Sequence, residues 1–172
     1  MIETERLVLR DWREEDIATY AAMCADPEVM RHFPALLSFD DASAQARRIR
    51  AHLGRAGWGL WAVEIKRGAP FVGFVGLSRP DFRPGDVEIG WRLARSAWGH
   101  GYATEAARAA LDHGFVELGL AEIISFTVPA NVPSQRVMER LGMVRDPSAS
   151  FEHPAVPEGN PLRLHWLWRV AA

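Results

Sequence analysis

The residues best suited to chemistry lie between Trp91 and Ala106, where a strand-like run ends, a short loop passes two glycines and a helical pattern begins. Backbone N–H groups at a helix N-terminus lack intrahelical acceptors and bind anions, and the helix dipole adds to the attraction. Glycine lets the backbone approach a phosphate closely and adopt torsions that other residues avoid. Trp98-Gly99-His100-Gly101-Tyr102-Ala103-Thr104 is therefore a candidate phosphate cradle. Ala103 keeps the helix start open and Thr104 adds a hydroxyl. A plain strand–helix turn is the other reading of the same residues. A dinucleotide fingerprint would need Gly-x-Gly-x-x-Gly after an early strand, and a P-loop would need Gly-Lys-Ser/Thr; neither is present.

The other reactive residue types are scattered. The six histidines form no triad. His100 lies in the glycine loop, and His113 reads as part of a helix face. His153 and His165 flank a proline-rich stretch and are open to either a pocket-lining or a structural role. The single cysteine, Cys24, sits in the apolar run Tyr20–Ala25 and reads as a small core residue. One thiol makes no internal disulfide, and no Cys/His spacing suits zinc, so no metal site is expected.

The periodicity supplies the elements around these residues. Residues 6–12 alternate as a strand. Carboxylates Glu14, Glu15 and Asp16 favour a helix from about Asp11 to Ala25, stopped at Asp26-Pro27. Residues 42–53 form a second helix, closed by Gly54 and Gly57. Residues 58–65, 71–77 and 87–93 read as three antiparallel strands. Residues 101–118 carry an alanine-rich apolar stripe at helical spacing. A strand at 122–128, a short helix at 134–141, a strand from Met143 and a last strand at 162–170 complete the order β-α-α-β-β-β-α-β-α-β-β. That order implies one α/β domain over residues 1–172 with a mixed sheet and a central parallel strand–helix–strand unit.

Composition narrows the class. Of the 172 residues 48% are apolar and 24% charged, which suits a folded chain rather than a disordered one. The net charge is −2, and the cluster Arg47, Arg48, Arg50 and Arg55 has the spacing of a solvated helix face. No nucleic-acid partner is expected. No apolar signal segment opens the sequence and no long apolar run follows, so no membrane association and a cytoplasmic location are expected. Most tryptophans fall on alternating strand positions and read as core, with Trp91 a candidate pocket wall.

Two segments together resemble a known family. Glu88-Ile89-Gly90-Trp91 followed by Trp98 to Ala106 resembles motif A of the GNAT superfamily of N-acyltransferases, written Gln/Arg-x-x-Gly-x-Gly/Ala. Trp98 stands at the Gln/Arg position, Gly101 at the glycine and Ala103 at the last small residue. The tryptophan departs from the general pattern but resembles the RimJ/RimL-type branch, the ribosomal-protein alanine N-acetyltransferases. Val128 to Met143 resembles motif B, Asn-x-x-Ser then a helix then Glu-x-Leu-Gly-Phe, with Met143 replacing the phenylalanine. Glu5 to Arg10 and the pair Asp26-Pro27 also resemble that branch, so the likeness spans nearly the whole chain.

The resemblance implies a GNAT-like α/β fold: a mixed sheet of about seven strands flanked by about four helices, with splayed central parallel strands. It implies acetyl-coenzyme A as cosubstrate and direct attack by a primary amine, of a protein N-terminus or a small molecule, with no covalent enzyme intermediate. By that likeness Trp98, Gly99, His100, Gly101, Tyr102, Ala103, Thr104 and Asn131 contact the cofactor. Trp91, Arg92, Leu93 and the strand at 123–128 offer backbone groups to the pantetheine arm and thioester, with an N–H near Arg92 or Leu93 as oxyanion donor. Glu88 is the implied base, against the alternative of an inert strand carboxylate. Relatives often carry a tyrosine acid seven residues after the motif B asparagine; here that position is Met138. Ser134 is the implied substitute, against the alternative of a helix cap. Loops 30–40 and 153–161 are expected to set the acceptor, and a homodimer is among the assemblies the likeness allows. Two other functions remain open on sequence alone: a non-catalytic coenzyme A-binding sensor, and transfer of another acyl group such as succinyl.

Overall fold

The structure, a computed structural model, covers residues 1–172. Its strands are β1 (Ile2–Glu3), β2 (Leu7–Arg10), β3 (Leu60–Ile65), β4 (Gly73–Ser78), β5 (Glu88–Leu93), β6 (Glu122–Thr127), β7 (Val144–Glu152) and β8 (Leu164–Ala171). Its helices are α1 (Asp16–Cys24), α2 (Phe39–Ala56), α3 (Tyr102–Val116) and α4 (Val132–Arg140). All eight strands form one sheet in the order β1-β2-β3-β4-β5-β6-β8-β7. Neighbours run antiparallel except β5 and β6, the parallel pair joined through α3. This mixed sheet with a central parallel pair and four helices is the architecture the resemblance implies, with one strand more: β1 is a two-residue pairing of Ile2 with Leu9 and Glu3 with Val8, too short to leave a periodic signal.

A contiguous cluster of 34 buried apolar residues holds the layers together. Strand β4 lies in the middle of the sheet and is buried along most of its length. Its Gly73, at φ +128, is required by a close approach: a Cβ there would stand 2.1 Å from the Arg92 carbonyl oxygen of β5. The alanine face of α3, including Ala106, Ala107 and Ala110, is fully buried, which brings this helix close against β4 and β5. Trp61 and Trp168 are core residues, whereas Trp98 is 47% exposed in its loop.

Several element boundaries differ from the sequence reading. Helix α2 starts at Phe39, after Ser38 caps it by accepting the Asp41 N–H, and runs through Gly54 to close only at the left-handed Gly57. Helix α1 starts at Asp16 because that carboxylate is engaged at the helix entrance. It receives Arg10 Nη1 and Nη2 at 2.7 and 3.0 Å and the Arg13 N–H at 2.7 Å. Arg10 is 5% exposed and also donates from Nε to Glu64 at 2.7 Å. Helix α4 starts at Val132, two residues early, because Pro133 lies in the first turn, where a missing N–H costs nothing. Strand β7 runs on to Glu152 through a register shift between Asp146 and Phe151, and as an edge strand it tolerates Pro147. The arginines of α2 are exposed, with Arg47 and Arg50 paired to Glu14. No helix is long and apolar enough to cross a membrane.

Candidate active site

The site begins where β5 and β6 part. They share a single register pair, Glu88 with Ile124, where the Ile124 N–H donates to the Val87 carbonyl at 2.9 Å. The Ser125 hydroxyl then donates to the Ile89 carbonyl at 2.9 Å, standing in for a lost ladder bond. Beyond this point β5 stays on β4 as far as Leu93, while β6 stays on β8 as far as Thr127. The two central strands therefore diverge, and the backbone of residues 90–93 faces a gap instead of a neighbour. Unpaired backbone groups at a gap seek partners.

Two cavities meet in this gap. One, about 470 Å³, lies among Glu88, Gly90, Arg92 and the loops carrying His32 to Pro34 and His153 to Val156. The other, about 460 Å³, runs along Leu93, the loop Trp98 to Thr104 and the first turns of α4. His32, Phe33, Trp91, Arg92, Asn131 and Ser134 line both. The tryptophan chosen as a pocket wall thus stands at the junction.

In the second cavity the glycine loop presents a row of free backbone N–H groups. Gly99 and Gly101 take left-handed torsions at φ +78 and +81. The first backbone N–H after Trp98 with a backbone acceptor is that of Glu105, bonded to the Gly101 carbonyl at 3.0 Å. Six consecutive N–H groups, residues 99 to 104, are thus left free at the start of α3. A Cβ on Gly101 would have only Arg6 Nη2 near it, at 3.6 Å, so the space it faces is open. Trp98 braces the loop by donating from Nε1 to the Leu93 carbonyl at 2.8 Å. His100 contributes its N–H, but its ring does not line the cavity and stacks on Tyr102, centroids 5.4 Å apart. Arg31, Arg136 and Arg140 also border this cavity; their type and place suit phosphate groups.

The first cavity holds the titratable groups. Glu88, half-buried, has one protein donor, the Ser78 hydroxyl at 3.5 Å. Burial, only slightly opposed by Ser78, pushes its carboxyl up to about 8. Burial also lowers His32, His153 and His165 below the ordinary histidine value, with Arg31 adding to the effect at His32 and His165 at His153. His153 and His165 belong to a ring cluster with Phe82, Phe126 and Phe151, centroids 4.7 to 6.2 Å apart.

At the junction, Asn131 and not Ser134 caps α4: Asn131 Oδ1 accepts the Ser134 N–H at 3.3 Å, and Asn131 Nδ2 donates to Thr127 Oγ1 at 3.0 Å. The cap alternative for Ser134 is thereby replaced. Its Oγ accepts from Trp91 Nε1 at 3.3 Å, and its own hydroxyl hydrogen has no protein acceptor. Met138 is buried at 1% exposure, a core residue where relatives carry an acid.

The sequence reading missed several contributors. Arg6, just before β2, braces the glycine loop, donating from Nη1 to the His100 carbonyl at 3.0 Å and pairing with Glu105 at 2.6 Å. Thr4 Oγ1 and the Arg6 N–H also donate to Glu105, at 2.5 and 2.9 Å. The motif spacing held no sign of a link across about a hundred residues. His32 and Phe33 were visible only as part of a loop. The Arg92 side chain, as opposed to its backbone, had no assigned role. No group of three or more His, Cys, Asp or Glu side chains is placed to hold a metal.

Comparison with known proteins agrees with this geometry. Residues 6–144 match the Acetyltransferase (GNAT) domain family. The chain is 35% identical over 142 residues to the uncharacterized protein YkkB of Bacillus subtilis (strain 168), covering 81% of this chain and 83% of that one. It is 30% identical over 160 residues to the uncharacterized N-acetyltransferase YnaD of the same organism, covering 92% and 89%. Among solved structures, an acetyltransferase (GNAT family) from Bacillus anthracis superposes with a TM-score of 0.82 at 28% identity, over 99% of this chain and 97% of that one.

Proposed function

The chain belongs to the GNAT acetyltransferase family, an acyltransferase family that uses acetyl-coenzyme A, and from that premise we propose a specific division of labour among its residues. Acting as a single domain, it moves an acetyl group from acetyl-coenzyme A to a primary amine by direct attack. The observation that carries the reading is the meeting of the two cavities in the gap between β5 and β6. One cavity has the free N–H groups that pyrophosphate requires, the other has a carboxyl suited to an ammonium proton, and the gap joins them.

In this reading the N–H groups of residues 99 to 104 hold the pyrophosphate. The unpaired backbone of residues 91 to 93 holds the pantetheine arm, with an N–H there donating to the oxyanion. Asn131 fixes the start of α4 beside the arm. Glu88, directly or through one water, takes the ammonium proton; a base whose pKa lies near the working pH is well matched to that transfer. The neutral amine attacks the thioester carbonyl carbon and a C–N bond forms; the C–S bond then breaks, and the surplus proton on the nitrogen passes through solvent to the departing sulfur, leaving the amide and free coenzyme A thiol. The Ser134 hydroxyl, with its hydrogen free, donates to the departing thiolate.

The deciding experiment follows release of free thiol from acetyl-coenzyme A with a panel of amino acids, peptides with free N-termini, polyamines and aminoglycosides, together with mass analysis of the products. Amine-dependent thiol release with an acetylated product is expected. Tight coenzyme A binding with no thiol release for any amine would instead establish a sensor. Turnover from succinyl- but not acetyl-coenzyme A would reassign the acyl group.

A further inference from the structure

Arg92 is the one side chain in the first cavity whose charge has no counterpart. It is 9% exposed, yet no carboxylate lies within ion-pair distance of it. Its Nη1 donates to the Tyr20 hydroxyl at 2.9 Å and to Cys24 Sγ at 3.2 Å, and its Nε has no partner at all. Tyr20 does not neutralise it, because the phenol is neutral: burial raises its pKa, and its hydroxyl donates to Gln45 Oε1 at 2.6 Å. The guanidinium lies 4.2 Å from the centroid of Phe33 and 5.6 Å from that of Phe74, packed among rings that fix its position. A buried cation without an anion is costly, and buried charges are normally paired. An arginine held this way is preorganised for a planar anion that arrives with a ligand.

The position on β5 shows where that anion sits. Glu88, Gly90 and Arg92 alternate onto one face of the strand, each step spanning about 6.7 Å, and all three line the first cavity. Gly90 leaves the middle of the row open: a Cβ there would have only Glu88 Oε1 near it, at 3.8 Å. The row is thus a proton acceptor, a space and a fixed cation along one wall of the same cavity.

We propose that the acceptor is a small amine that also carries a carboxylate, of the amino acid class, and that Arg92 binds the carboxylate while the amine lies over Gly90 beside Glu88. This rests on the acetyl-transfer reading above. A polycationic acceptor fits poorly, because the cavity offers a single carboxyl and already holds a fixed cation, Arg92.

The test compares acids with their carboxamides: alanine with alaninamide, and phenylalanine with phenylalaninamide, each with acetyl-coenzyme A and the wild-type protein. The acids are expected to have kcat/KM about 10²-fold higher, the usual scale for leaving a buried charge unpaired. The carboxamides have the more weakly basic amines, a bias against that result. Arg92→Gln should erase the preference by slowing the acids far more than the carboxamides, and Arg92→Lys should restore part of it. Equal or faster turnover of the carboxamides, or faster turnover of polyamines, would overturn the proposal. Should no amine release thiol, the acetyl-transfer reading fails on its own. Calorimetric binding of N-acetylphenylalanine against its carboxamide, with coenzyme A present, then decides the Arg92 assignment. Preference for the acid sustains it; equal or absent binding overturns it.

Discussion

Glu88 has one weak donor and a buried position, and its carboxyl is pushed up to about 8. As the base it must be ionised, so turnover is expected to rise with pH through about 8. Glu88→Gln should remove that limb and lower kcat by about 10²–10⁴-fold, with coenzyme A affinity unchanged. The deficit should shrink at higher pH as the amine deprotonates unaided; wild-type turnover across the whole range would leave Glu88 a structural residue. The same shift has a stability consequence of the opposite sense. The folded pKa lies above the unfolded value, so the folded state binds more protons, and stability is lost as pH rises from about 4.5 through 8. Glu88→Gln should therefore melt at the same temperature as wild type near pH 4 and at a higher one near pH 8.5. Neighbouring Ser134 makes a cleaner separation than its sequence position suggests, because Asn131 is the cap. Ser134→Ala should cost turnover at the low end of the acid-catalysis range with little change in melting temperature. Asn131→Ala should cost about 1 kcal/mol of stability. A melting loss in Ser134→Ala with full turnover per folded molecule would reverse these roles.

The proposed cofactor cradle belongs to an element, the loop from Leu93 into α3, and in that role it depends on backbone more than on side chains. Gly101→Val replaces a residue at φ +81 that faces open space. It should abolish coenzyme A binding, measured by calorimetry, while circular dichroism shows the fold retained; unchanged affinity in the folded variant would remove phosphate binding from this loop. Glu105 binds Thr4 and Arg6 on one side and sits in the first turn of α3 on the other. Glu105→Ala should weaken coenzyme A binding without removing any group that touches it, by letting the cradle loosen. This contrast marks what was legible in the sequence. The cradle was, because glycines before a helix leave a local pattern, and so was the Asn131–Ser134 spacing. The Arg6–Glu105 brace, the burial of Arg10 by Asp16 and the capping of α4 by Asn131 were not, because each depends on partners or torsions that local periodicity does not encode.

At the scale of the whole molecule, the alternation of strands and helices was enough to read a mixed sheet with a parallel pair at its centre. What it left unread is where that pair comes apart. Nothing in residues 88–93 or 122–127 marks Glu88–Ile124 as the last register pair; the separation comes from β5 staying with β4 while β6 stays with β8. Because the gap is framed by the sheet itself, its occupant should stabilise the entire fold. Coenzyme A at about 100 times its Kd should add about 2.7 kcal/mol, a rise of roughly 5–10 °C in Tm for a chain of this size. The Gly101→Val variant should show no such rise, and an equal shift in both proteins would place the ligand elsewhere. The divergence also bears on the order of events in time. The two cavities have separate linings apart from the six residues at their junction, so neither substrate must depart before the other can enter. Initial-rate plots at varied concentrations of both substrates should give intersecting lines, the signature of a ternary complex. Parallel lines would mean that the acetyl group waits on the protein between two separate visits.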